Sequence, residues 1–113
     1  MHTDYIEIRN REKLVRITFD SIVYINTSDY LTTFYCFGGE TMRCTKPLIK
    51  ILQKLSADFY QINRSQVVNL KWINSLESNR DIVVAGTTRL TVANRRLKGL
   101  RSELEEHCYT LAR

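Results

Sequence analysis

The stretch TKPLIKILQKLSADFYQINRSQVVNLKWI, Thr45 to Ile73, holds two different patterns back to back. Its first half repeats Leu48, Ile51, Leu52 and Leu55 at helical spacing, so one apolar stripe faces a core. Pro47 suits a first helical turn, with Thr45 or Lys46 near the cap and the end of the helix at Ser56-Ala57-Asp58. The second half, Phe59 to Ile73, is apolar at its ends and polar in its centre. Gln61, Asn63, Arg64, Ser65, Gln66 and Asn69 stand there among Ile62, Val67 and Val68. Arg can read guanine edges, Asn and Gln can read adenine, and Ser can bind phosphate. The same Asn and Ser residues also suit turns and caps, because they bond their own backbone. Asn69, beside Val67-Val68, reads as structural.

Upstream, the chain reads as short strands. Tyr5 to Ile8 alternates, and Lys13 to Phe19 places Val15, Ile17 and Phe19 on one face and Arg16 and Thr18 on the other. Ile22 to Asn26 is a compact apolar strand, and Tyr30 to Phe37 is β-branched and aromatic. Gly38-Gly39 then turns the chain into Glu40 to Thr45, a hairpin signal. With a two-residue turn, Cys36 opposes Thr41 and Cys44 opposes Thr33, which puts the two thiols on opposite faces. The connection Asn26 to Tyr30 is either a plain turn or a protruding loop presenting Thr27, Ser28 and Asp29.

Downstream, strands resume at Trp72 to Leu76, Asp81 to Val84 and Arg89 to Val92, with turns at Asn79 and Ala85-Gly86. A closing helix runs from about Arg95 to Cys108. Leu97, Leu100, Leu104 and His107 form its inner stripe, and Asn94 is a plausible N-cap. Its charges run against its dipole. Arg95, Arg96, Lys98 and Arg101 come first, and Glu103, Glu105 and Glu106 follow. A site that needs cations at the helix start, such as a phosphate contact, accounts for that order. The alternative is a solvated surface with no such role.

With 113 residues the chain is long enough for one domain, read as residues 1–113 with its core at about 4–107. Seventeen Lys and Arg against twelve Asp and Glu leave a net charge of +5, which favours polyanionic partners. Three widely spaced Cys, without a CxxC pair, fit reduced thiols rather than a disulfide framework or a zinc site. No apolar run approaches the ~20 residues that cross a bilayer, and the start lacks a signal-peptide core. The expectation is a cytoplasmic protein without membrane contact.

Catalytic chemistry finds little support. His2 and His107 lie near opposite ends, and no Ser, His and acid come together in a recognisable arrangement. Gly38-Gly39 lacks the spacing and the Lys of a phosphate loop. Glu7, Glu12, Asp20 and Asp29 show no metal-ligand pattern. No enzyme activity, cofactor or metal is expected.

Three stretches carry a resemblance: ITFDSIVYINTSDYLTTF, TKPLIKILQKLSADFYQINRSQVVNLKWI and LTVANRRLKGL. The chain resembles a LytTR-type DNA-binding domain, the output module of bacterial two-component response regulators. The middle stretch carries the family's pattern at Leu55, Phe59, Gln61, Ile62, Asn63, Arg64, Ser65, Val68, Asn69 and Ile73. The resemblance spans about Asp4 to His107. It implies a mainly β fold, an elongated arrangement of small antiparallel sheets with a packed helix and a C-terminal helix.

It also implies sequence-specific binding of duplex DNA, on paired direct repeats. Loops from one edge enter successive major grooves and contact the backbone between. Carried over residue by residue, the first contact loop matches Thr27, Ser28, Asp29 and Tyr30. The second matches Asn63, Arg64 and Ser65, with Arg64 facing the bases. The third matches Ala93, Asn94, Arg95 and Arg96, with Lys98 beside it as a phosphate contact. Two departures stand out: Asn63 where the family often has His, and Ala93-Asn94 where it often has Ser-Arg. The family's usual arginine is therefore missing at Asn94, and Arg95 or Arg96 is left to supply the charge. Family members usually carry an N-terminal receiver domain. A receiver domain and RNA polymerase are the further partners implied, with this chain read as an excised output domain, the alternative being a free-standing member.

Two competing classes remain. A small basic module that binds RNA or an acidic protein would present exposed aromatics for stacking, with Tyr24, Tyr30, Tyr35 and Trp72 as candidates. A purely structural domain would leave the basic run from Arg95 without a role.

Overall fold

Val67 and Val68 sit side by side in one strand, yet both are fully buried. Neighbouring strand residues point to opposite faces, so this doublet requires a sheet covered on both sides. The computed structural model describes residues 4–11 and 13–106 and shows that arrangement. A central antiparallel sheet holds β3 (Ile22–Ser28), β4 (Leu31–Cys36), β5 (Thr41–Cys44), β6 (Phe59–Asn63) and β7 (Gln66–Asn69), in the order β5-β4-β3-β7-β6. The hairpin of β1 (Tyr5–Asn10) and β2 (Lys13–Thr18) and the helix α1 (Leu48–Leu52) cover one face. On that face Val67, Ile25 and Phe34 pack with Ile6, Ile8, Ile17 and Ile51.

The other face is covered by a three-stranded sheet of β8 (Ile73–Leu76), β9 (Asp81–Val84) and β10 (Thr88–Thr91), together with α2 (Asn94–Glu106). There Val68 and Ile62 pack with Ile73, Ile82, Val84, Leu100 and Leu104. The molecule measures 43 × 33 × 25 Å along its principal axes. The mainly β reading with small antiparallel sheets and a C-terminal helix is what the chain adopts.

Four local expectations need correction. The helix read over Thr45 to Leu55 is only five residues long. Pro47 is extended at its cap position, and residues 53–55 close with tighter turns, Lys54 N–H donating to Ile51 O at 2.9 Å and Leu55 N–H to Leu52 O at 3.3 Å. The apolar stripe is nevertheless as read: Leu48 and Ile51 are buried and Leu52 and Leu55 pack beside them. The polar-centred stretch Phe59 to Asn69 is a hairpin, β6–β7, and Trp72 belongs to a 3₁₀ turn, Leu70–Trp72, not to a strand.

The turn at Gly38-Gly39 also takes in Phe37. Cys36 N–H donates to Glu40 O at 2.8 Å, and both glycines have positive φ, 92° and 90°. The register therefore shifts by one: Cys44 opposes Thr32, and Thr41 opposes Tyr35. Cys36 and Cys44 consequently share a face, but at opposite ends of β4, a four-residue offset of about 13 Å. Both are free thiols. Finally, α2 begins at Asn94, which moves the cap position to Ala93. His2, Glu12, His107 and Cys108, and the last turn expected for α2, lie outside the described residues.

Asn69 joins the layers. It is 1% exposed, and its Nδ2 donates to Phe19 O at 3.2 Å and Ile22 O at 2.9 Å. Its Oδ1 accepts from Lys71 N–H at 3.1 Å. The structural reading of this residue stands.

Candidate nucleic-acid interface

Two hairpin turns and one helix start come together at one end of the central sheet. The first turn links β3 and β4. Ser28 pairs with Leu31, which leaves only Asp29 and Tyr30 at the tip. The connection is thus a tight turn and not a long loop. Asp29 takes a positive φ of 56°, a conformation its short polar side chain tolerates better than most. Tyr30 is 89% exposed. Ser28 and Asp29 are also exposed, whereas the Thr27 hydroxyl turns inward and donates to Leu31 O at 3.4 Å.

The second turn links β6 and β7. Asn63 pairs with Gln66, and Arg64 and Ser65 form the tip. Asn63 is engaged on both sides of its amide. Nδ2 donates to Gln66 Oε1 at 2.8 Å and to Thr91 O at 2.9 Å, and Oδ1 accepts from Ser65 N–H at 3.0 Å and Ser65 Oγ at 3.2 Å. Such an Asx turn presets the backbone of the two residues that follow. Arg64 is held on this rigid tip with its side chain exposed, and it forms no ion pair with any described residue.

The third segment is the start of α2. Asn94, Arg95 and Lys98 are exposed. Arg96 is half-buried, with its guanidinium 3.5 Å from Gln61 Oε1. The Tyr60 hydroxyl donates to Arg96 O at 2.9 Å and fixes the first turn of the helix against β6. The first turn contains no acid and the last described turn no base, so the inverted charge order of the sequence is a real feature of the helix.

Hydrogen bonds lock the three segments to one another. Thr27 N–H donates to Ser65 O at 2.8 Å and ties the first turn to the second. Ala93 N–H donates to Ile62 O at 2.8 Å, and Asn63 reaches Thr91 O, so the second turn is tied to the approach to α2. The residues singled out in the sequence are therefore brought together on one edge. Of the partners that lock them, Gln61 and Gln66 were among the polar residues read in the sequence as possible base readers and serve here as braces, whereas Tyr60 and the Thr91 carbonyl were not singled out. The Asn63-Arg64-Ser65 turn signature was a usable clue. Nothing local pointed to Tyr60.

The model of the LytTr DNA-binding domain family matches residues 12–105. The chain belongs to the LytTR family. LytTR domains bind DNA as output modules of two-component response regulators, and they are not catalysts. Among solved structures, this LytTR chain is similar to the LytTr DNA-binding domain of a protein from Bacillus cereus described as a methyl-accepting/DNA response regulator. The two share 16% identity with a TM-score of 0.75, over 91% of this chain and 98% of that one. That likeness is one of fold. No curated protein matches the chain. Among the described residues, no cluster of His, Cys, Asp and Glu is suited to hold a metal, and no helix is long and apolar enough to cross a membrane.

Proposed function

We propose that this LytTR domain binds a specific duplex site through the edge built by the β3–β4 turn, the β6–β7 turn and the start of α2. The observation that carries the reading is the set of hydrogen bonds joining Thr27 to Ser65, Asn63 to Thr91 and Ala93 to Ile62. A preorganised edge loses little entropy on binding, and its exposed cations, Arg64, Arg95 and Lys98, need a polyanion.

The spacing of the segments bears on how they meet the duplex. The two turns lie two strand spacings apart, about 10 Å. Successive major grooves are separated by about 34 Å along the axis. Neighbouring turns therefore cannot fill one groove each. The outer pair, Ser28-Asp29-Tyr30 on one side and Asn94-Arg95-Arg96 on the other, is the most widely separated of the three segments and is therefore assigned to the successive grooves, with long side chains and a bend in the duplex covering the remaining distance. Lys98 adds a backbone contact. Arg64, at the centre, meets the stretch between them, where a guanidinium in a narrow minor groove senses shape and A·T content. This moves Arg64 away from the guanine edge that its residue type first suggests while keeping it base-facing.

Binding on paired direct repeats, with a receiver domain upstream and RNA polymerase as a further partner, completes the reading. The aromatics that an RNA-binding module would need are largely occupied. Tyr24 stacks on Tyr35 at 4.3 Å, and Phe37 on Trp72 at 4.7 Å. The test is selection from random duplex DNA, followed by fluorescence anisotropy with the selected duplex, a scrambled duplex and single-stranded RNA at matched salt. A selected consensus bound at least tenfold more tightly than the other two is the expected result. Equal binding to all three overturns the proposal.

A further inference from the structure

A second group of cations lies outside the three segments. The tip of the β1–β2 hairpin, the end of β5 and the link to α1 enclose an open cleft of about 720 Å³. Arg9, Arg11, Arg43 and Lys46 line it, with Asn10 and Leu31, and no acid among the described residues lines it. All four cations are exposed, and none forms an ion pair with a described residue. Asn10 Nδ2 donates to Arg43 O at 3.1 Å, so the hairpin tip is fastened to β5 and the walls keep their spacing.

Crowding is a cost here. Lys54 alongside, and Lys50 further off, hold the Lys46 ammonium below the ordinary lysine range. Like charges held this close repel one another, and Lys46, Lys50 and Lys54 are placed before, within and just after α1.

The position of the cleft points to what would occupy it. Leu31 directly follows the Asp29-Tyr30 tip, and the buried Thr32 donates its hydroxyl to Lys46 O at 2.8 Å. The sheet order β5-β4-β3-β7-β6 puts the cleft beside the first turn, on the side away from Arg64. The edge thus runs from α2 through both turns and continues into a cation-lined cleft.

We infer that this cleft binds the phosphodiester backbone of duplex DNA flanking the groove that the β3–β4 turn enters. The inference rests on the DNA-binding reading above and lengthens the footprint beyond it. Such contacts carry no sequence information. They add affinity, salt dependence and a fixed register.

The test uses the full chain and a duplex selected from random DNA by the wild type, with eight flanking base pairs on each side. Anisotropy across a salt series compares wild type with Arg43→Gln/Lys46→Gln. The hydrogen bonds that tie Arg43 and Lys46 to Asn10 and Thr32 run through their backbone carbonyls, and neutralising Lys46 relieves its repulsion by Lys54, so neutral side chains keep the fold. If circular dichroism nonetheless reports a change, Arg9→Gln/Arg11→Gln on the opposite wall replaces the pair.

The expected result is a log–log salt slope shallower by about 0.9 for each phosphate that the variant no longer neutralises. In addition, a neutral methylphosphonate at one or two flanking positions should weaken the wild type and leave the double variant unaffected. An unchanged slope, or silence at every flanking position, overturns the inference, and a domain with an acidic surface would then be the better occupant. The two readings fail differently. If Arg64→Ala weakens the selected duplex and the double variant does not, only the cleft's role is overturned. If the wild type binds no duplex, both readings fall.

Discussion

The hydroxyl of Tyr60 lies across α2 at Gly99, and a Cβ at that glycine would stand 2.2 Å from the phenol oxygen. Because the same hydroxyl donates to Arg96 O at 2.9 Å, the glycine and the tyrosine together set how closely the basic helix start approaches β6. Gly99→Ala is therefore expected to destabilise the fold by about 1–3 kcal/mol through overpacking, despite the better helix propensity of Ala. Tyr60→Phe removes the clashing oxygen, so the double variant should lose less than the sum of the two single variants. Urea denaturation of all four proteins measures the coupling, and strict additivity would contradict the contact.

Asn69 supports both cores at once. Replacing it with Ala leaves the Phe19 and Ile22 carbonyls and the Lys71 amide without their side-chain partner. A loss of about 2–4 kcal/mol in urea unfolding is expected, since each buried orphan costs about 1–3 kcal/mol and some relax to water. The ratio of affinities for the selected and scrambled duplexes should stay unchanged in the folded fraction. A stability change below about 0.5 kcal/mol would show that the network carries no weight.

Asn63 is expected to matter for DNA without touching it. Asn63→Ala removes the bonds to Ser65 N–H, Gln66 and Thr91 O, so the Arg64-Ser65 tip loses its preset shape. Amide exchange at Ser65 should quicken at least tenfold, and affinity for the selected duplex should fall. Unaltered exchange combined with weakened binding would instead make Asn63 a direct contact.

The elements differ in how plainly the sequence encodes them. The alternating strands β1, β2 and β9 and the Leu stripes were legible because one buried face imposes a period, and β3 and β4, buried on both faces, were legible only from their apolar, β-branched and aromatic composition. The hairpin β6–β7 was not, since both of its faces are buried around Val67 and Val68 and the period-2 signal cancels. The one-residue register error at Gly38-Gly39 has a different origin. Loop length is set by backbone φ values, and two glycines fit a two-residue or a three-residue turn equally well. Among the site residues, the exposed cations were legible from residue type. The bonds that gather them were not, because Thr27–Ser65 and Ala93–Ile62 join backbone atoms to which side-chain identity is blind.

Arg64 and Lys98 separate two kinds of contact. Arg64→Ala should weaken the selected duplex several-fold more than a scrambled one. Lys98→Ala should weaken both equally and lower the log–log salt slope by roughly 0.9. Replacing guanine by inosine, which lacks the minor-groove amine, at the central positions should change wild-type affinity and leave Arg64→Ala indifferent. Sensitivity to 7-deazaguanine instead would return Arg64 to the major groove.

Cys36 gives a pH readout of the Gly38-Gly39 hairpin. Burial, and then the nearby Glu40 charge, raise its pKa, partly offset by Ser21. A raised thiol pKa means less thiolate at a given pH, so its reaction with a disulfide reagent should reach half-maximal rate at higher pH than free cysteine does. The Cys108→Ser protein isolates this signal, because Cys44 is buried. A profile at or below that of free cysteine would mean that the hairpin opens before reaction.

The charge order along α2 has a kinetic consequence. With Arg95, Arg96, Lys98 and Arg101 leading and Glu103, Glu105 and Glu106 trailing, the helix is an electric dipole fixed in the molecular frame. Near a polyanion such a dipole exerts a torque before any atoms touch. It turns the recognition edge inward and swings the acidic end away. Productive collisions then become commoner without any change in the docked interface. Reversing Glu105 and Glu106 to Lys would raise the net charge and yet flatten this orientation, so tighter nonspecific capture would come with a smaller share of encounters that lead to the docked complex.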